Sequence, residues 1–175
     1  MTGPKKGVYS IVINAPIERV WREITKTDEL INCFFGSWLD TPGLQPGAPI
    51  RMRTPSKKYT GVVGEVLEFD PPNRFKHTFK FTQLDEAPVE VTYQLSETEG
   101  GTEVSLIHEH VIPGTKTQKY MDGGVKFILN TLKADAEDKP HSFNSRFILL
   151  MCRITEPLAK KIARSENWPF DRKIA

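Results

Sequence analysis

Residues 59–81, YTGVVGEVLEFDPPNRFKHTFKF, read as two strands joined by a tight turn. The turn is Asp70-Pro71-Pro72-Asn73: proline presets φ, and Asp and Asn side chains bond their own backbone in turns. After it, Phe75, His77, Phe79 and Phe81 alternate with Arg74, Lys76, Thr78 and Lys80. A period of two marks a strand with one buried face. Before the turn, Val63, Leu67 and Phe69 share one parity, and Glu65 breaks it. His77 is the anomaly, an ionisable ring inside an aromatic stripe.

On the N-terminal side, Tyr9, Ile11 and Ile13 alternate with Ser10 and Val12, which predicts a first strand. Asn14-Ala15-Pro16-Ile17-Glu18 then has the makeup of a helix start: a capping residue, an early proline and an acidic first turn. The helix presents Ile17, Val20, Trp21 and Ile24. A second short helix is expected from Thr27 or Asp28 through Phe34, ending at Gly36. Residues 37–49 are rich in Pro and Gly and read as a loop carrying Trp38, long enough to rim a pocket. Residues 50–54 form a short strand. Arg51, Arg53, Lys57 and Lys58 read as solvated strand and turn residues.

On the C-terminal side, Val89, Val91, Tyr93 and Leu95 alternate with Glu90, Thr92 and Gln94. After a Gly-containing turn, Val104, Leu106, His108, His110 and Ile112 do the same. That makes six strands, five of them in an unbroken meander. Met121, Val125, Ile128, Leu129 and Leu132 define an amphipathic helix over 119–134. Gly123 and Gly124 lie inside it, where each costs about 1 kcal/mol against Ala, so a bend or a close backbone approach is expected. Beyond it, Phe143, Phe147, Leu150, Met151, Ile154 and Leu158 fall at helical spacing. Pro157 divides this tail into two helices. The boundaries are therefore a domain over 1–138 and a helical extension over 139–175, packed on the domain or in a homodimer interface.

With 175 residues, 38% hydrophobic and 26% charged, the chain suits one folded core. A net charge of +2 is too mild to predict nucleic-acid binding. No apolar run approaches the ~20 residues of a membrane span, and MTGPKKGVYS has no apolar stretch that would make it a secretory leader. Cys33 and Cys152 match no metal spacing, so free thiols in a cytoplasmic protein are expected.

Three segments carry a family resemblance. Residues 14–21, NAPIERVW, look like the start of the START/polyketide cyclase/birch-pollen-allergen (SRPBCC) superfamily. Residues 64–75, GEVLEFDPPNRF, and 100–109, GGTEVSLIHE, resemble the branch homologous to the C-terminal domain of the heat-shock-protein-90 ATPase activator. The resemblance spans roughly residues 8–138. It implies an α+β helix-grip fold: a curved antiparallel sheet wrapped around a long C-terminal helix, with a cavity between them.

Strand parity then names the inward-facing residues: Tyr9, Ile11, Met52, Phe75, His77, Phe79, Tyr93, His108 and His110. With Trp38 from the loop and Gly124 and Ile128 from the helix, these (Ile11 apart) are the pocket candidates. Mostly apolar walls with a few polar groups suit a small molecule. His77, His108 and His110 raise the question of a metal, but Glu109 has the opposite parity and no carboxylate joins them, so neither metal nor cofactor is expected. The preferred reading is binding of a small hydrophobic or aromatic ligand. A polyketide cyclase/aromatase-like or hydrolase-like enzyme using the cavity histidines is the first alternative. A co-chaperone-like interaction domain is the second.

Overall fold

The computed structural model describes residues 3–174; Met1, Thr2 and Ala175 lie outside the described residues, so the first two positions of the stretch read for a leader are not placed. The chain runs β1 (Lys5–Ile13), α1 (Ile17–Thr25), a 3₁₀ turn (Asn32–Phe34), β2 (Trp38–Asp40), β3 (Pro49–Arg53), β4 (Thr60–Asp70), β5 (Arg74–Phe81), β6 (Val89–Thr98), β7 (Gly101–Val111), α2 (Lys116–Ala136) and α3 (Phe143–Thr155). The strands form one antiparallel sheet in the order β1-β7-β6-β5-β4-β3-β2. From β2 to β7 each strand neighbours the next, and β1 closes against β7.

The hairpin stripe packs as its parity predicts. Phe75, Tyr93, Leu95, Val104 and Leu106 are buried with Met121, Val125, Leu129 and Leu132 of α2. Full burial of side chains of this size contributes roughly 1.5–3 kcal/mol each, which is why α2 lies across the sheet. Its first turn is fixed from outside. Glu86 accepts the amides of Lys116 at 3.0 Å and Thr117 at 2.8 Å, and Thr115 Oγ1 accepts that of Gln118 at 3.2 Å. A carboxylate at a helix N-terminus also complements the helix dipole.

The sheet has seven strands where six were expected. The addition, β2, lies in the Pro/Gly-rich loop and sets Trp38 opposite Arg53. Three residues are too few to show an alternation. The second helix is also shorter than expected, a single 3₁₀ turn. Asp28 caps nothing there; it pairs with Arg22 at 3.2 Å.

Two register shifts re-aim side chains. In β4 the pairing steps from Val66↔His77 to Glu68↔Lys76, so Leu67 is an extra residue. Val63 and Phe69 share sequence parity yet fall on opposite faces. Phe69 packs on Trp21 and Phe75, whereas Val63 pairs with outward-facing Arg51. In β7 the pairing steps from Gly7↔His108 to Lys5↔Val111. The extra residue brings His110 to φ 63 and leaves it exposed, with Val111 buried in its place. His110 was expected to face inward with His108; the bulge turns it out.

The tail departs most from expectation. Only α3 is an α-helix, and three short 3₁₀ turns follow it. The stripe of Phe143, Phe147, Leu150, Met151 and Ile154, expected to pack on the domain or in a homodimer interface, does not pack on the domain: it is exposed in the single chain, Phe143 at 86% and Ile154 at 59%. The docked face is instead Ser145, Ile148, Leu149 and Cys152. Small residues permit close approach: Ser145 Oγ sits 3.3 Å from Thr131 Oγ1 of α2. Further on, the chain crosses the outer face of β3 and covers Arg51, which is fully buried rather than solvated. The guanidinium donates to the carbonyls of Trp168 at 3.2 Å, Pro169 at 2.9 Å and Arg172 at 3.1 Å, and to Ile50 at 2.9 Å.

Candidate functional site

Between sheet and α2 lies a cavity of about 260 Å³. Its floor follows from the register. His77 of β5 is paired with Val91 of β6, and Val91 with His108 of β7. Residues directly opposite one another share a face, so the three form one row across the sheet. Aromatic rings wall it. Phe79 meets Phe81 edge-on with centroids 4.9 Å apart, and Phe81 meets Tyr120 of α2 at 5.7 Å. Phe34 leans on Tyr93 at 5.7 Å. Gly124 faces the space, where an added Cβ would meet the Phe35 ring at 3.3 Å and Ile128 Cδ1 at 3.9 Å. Gly123 points away and has nothing near it, so one glycine of the pair opens the room. Tyr120, Phe35 and Gln83 are exposed and form the rim; His77, Val91, Tyr93 and His108 are buried at the bottom.

Met52, His77, Phe79, Tyr93, His108, Gly124 and Ile128 thus come together in the lining. Tyr9, Phe75, Trp38 and His110 do not. Tyr9 sits behind His108, with ring centroids 5.5 Å apart, and its hydroxyl donates to Asp122 at 3.2 Å. Phe75 is wholly buried beside His77, with centroids 5.0 Å apart. Trp38 is taken up at the β2 edge. Its Nε1 donates to Pro55 O at 3.2 Å, and Lys57 Nζ lies 4.4 Å from its ring centroid. His110 faces solvent with Glu90 at 3.7 Å.

Several lining residues escaped sequence reasoning. Val91 and Phe81 have the parity of residues that were named, and Met121 belongs to the α2 stripe, so all three were within reach. Phe35 was not. It holds φ 57 and stacks on Phe127 at 4.4 Å. A bulky residue in the left-handed region is uncommon, costs about 1–2 kcal/mol, and occurs where the surroundings over-determine the backbone.

The chemistry at the floor is that of neutral imidazoles. Burial pushes His77 down to about 4 from 6.5, only partly offset by its bond to Thr78 O at 2.8 Å. Burial likewise lowers His108 to about 4, with Asp122 opposing. His77 Nε2 and His108 Nδ1 are buried and have no hydrogen-bond partner among the described residues. Among the described residues, no Lys, Arg, Asp or Glu lines the cavity. Cys33 is deeply buried, which raises its thiol well above the ordinary value, and it is not bonded to Cys152. No group of three or more His, Cys, Asp or Glu among the described residues is placed to hold a metal.

A curved antiparallel sheet gripping one long helix over an apolar cavity defines a helix-grip protein of the SRPBCC superfamily. Residues 14–137 match the profile of the Activator of Hsp90 ATPase homolog 1-like protein family, and the chain belongs to that family. Comparison with curated proteins finds no match. Among solved structures, the solution structure of the Aha1 dimer from Colwellia psychrerythraea is similar at TM-score 0.61 and 20% identity, over 76% of this chain and 96% of that one. An NMR structure of a Bordetella parapertussis protein reaches 0.62 at 18% identity, over 89% and 86%. CalU16 from Micromonospora echinospora reaches 0.55 at 18%, over 89% and 85%. Likeness at these identities establishes the fold.

Proposed function

We propose that this protein binds a small hydrophobic or aromatic molecule in the cavity between the sheet and α2. The observation that carries the reading is an aromatic-walled space with a buried pair of neutral imidazoles at its floor and an exposed rim. Neutral histidines in apolar surroundings suit recognition better than acid–base chemistry, which needs a group titrating near the working pH. The two unpaired thiols support a reducing, cytoplasmic setting. No helix among the described residues is long and apolar enough to cross a membrane.

The neutral fluorophore N-phenyl-1-naphthylamine tests this. Its emission should rise saturably with the protein, with micromolar affinity on the order of that of small apolar ligands in such sites. Gly124→Leu, and independently Ile128→Trp, should weaken it at least about tenfold by filling the space. Binding that never saturates, or that ignores both variants, would place the dye elsewhere and sink the reading.

A homodimer through α3 belongs to the same proposal. Phe143, Phe147, Leu150, Met151 and Ile154 form one exposed stripe, and a second copy would remove it from water. Sedimentation should give twice the chain mass of 19.9 kDa, and Phe147→Glu with Ile154→Glu should return it to the monomer. A wild-type monomer at high concentration would refute the pairing.

A further inference from the structure

We infer that the ligand is a neutral aromatic alcohol or phenol whose hydroxyl donates to His77 Nε2; this inference rests on the pocket reading above. The proton count at His77 makes the case. Its Nδ1 lies 2.8 Å from the carbonyl oxygen of Thr78. A carbonyl can only accept, so Nδ1 carries the hydrogen, and in a neutral imidazole Nε2 is then a lone-pair acceptor. Nε2 is at the far tip of the ring, away from the strand, and the ring lines the cavity. It is buried and unpartnered among the described residues. A ligand group that meets it must therefore bring a hydrogen. A second acceptor placed there, such as a carboxylate, would face lone pair with lone pair.

The walls restrict the rest of the molecule. With no cation among the described residues of the lining, an anion would lose its hydration uncompensated. Phe34, Phe79, Phe81 and Tyr93 offer ring faces and edges to a flat apolar body. Two strands away, His108 Nδ1 is also buried and unpartnered. At the usual strand spacing the two histidine Cα atoms are roughly 10 Å apart. A fused bicyclic phenol fits that span, with its hydroxyl at the His77 end.

The test compares 2-naphthol, 2-methoxynaphthalene and 2-naphthoate by calorimetry on the full chain near neutral pH. The phenol should bind about tenfold tighter than its methyl ether, as one net hydrogen bond allows, and the naphthoate weakest of the three. His77→Phe should cost the phenol about the same tenfold and leave the ether unchanged. Imidazole ¹⁵N spectra of the wild type provide a readout that needs no variant: the pyridine-type Nε2 signal of His77 should move when 2-naphthol is added and stay put with the ether. Equal binding of phenol and ether, or tightest binding of the naphthoate, overturns the hydroxyl inference while the pocket reading stands. Failure of all three to bind overturns the pocket reading itself.

Discussion

The protein should lose roughly 3–4 kcal/mol of stability between about pH 7 and pH 5, through His77 and His108 alone. Both are held near 4 by burial, against 6.5 for a free imidazole. Between those values the unfolded chain binds protons that the folded chain refuses, so stability rises with pH. The contribution is complete above 6.5 and drains away as pH falls toward 4. Carboxylates held below their ordinary values, such as Glu68 beside Arg74 and Asp28 beside Arg22, are lost only lower. The interval from pH 5 to 7 therefore isolates the histidines. Urea unfolding at constant ionic strength measures it, and His77→Phe with His108→Phe should flatten the profile. A midpoint that does not move between the two pH values would show that the imidazoles are not kept neutral.

Arg51→Leu should cost about 3 kcal/mol, far more than an exposed strand arginine would. The substitution strips the donor from the carbonyls of Trp168, Pro169 and Arg172 while leaving them covered. Trp168→Ala should cost a similar amount, about 3 kcal/mol, because that buried ring pins the same segment, donating to Ile162 O at 2.7 Å with Arg172 stacked at 4.0 Å. Acting on one seam, the two losses should not add; the double variant should fall short of their sum by at least about 1 kcal/mol. Strict additivity in denaturant melts would mean that Arg51 and the tail are energetically separate.

Where an element alternates without interruption, its buried face was readable. Phe75, His77 and Phe79 on β5, Val91 and Tyr93 on β6, and the apolar side of α2 lie where their spacing puts them. The reading broke where one residue enters or a few residues suffice. A bulge adds a residue with no compositional mark, so Val63 and His110 changed faces unannounced. The α3 sequence is apolar on two sides, and periodicity cannot say which side docks. The helix chose the one carrying Ser145 and Cys152, since small side chains let it lie close to α2. Arg51 looked solvated because the carbonyls that cover it, those of Trp168, Pro169 and Arg172, come more than a hundred positions later, and a carbonyl leaves no trace in a side-chain pattern. Of the site itself, both floor histidines were legible. Phe35 on the rim was not, because a turn held in the left-handed region has no periodicity to betray it.

The seam between Arg51 and residues 168–172 also sets an order of events on the ribosome. Chains emerge from the N-terminus, and their early parts begin to fold before the rest is made. The meander and α2 can assemble as soon as residue 136 is clear. The outer side of β3 then holds a guanidinium whose three acceptors in residues 168–172 do not yet exist, and that side of it must stay hydrated. Only when Arg172 has been translated can the seam close and water leave that face. A nascent chain arrested a little short of that point should carry a finished cavity inside a sheet whose back is still wet.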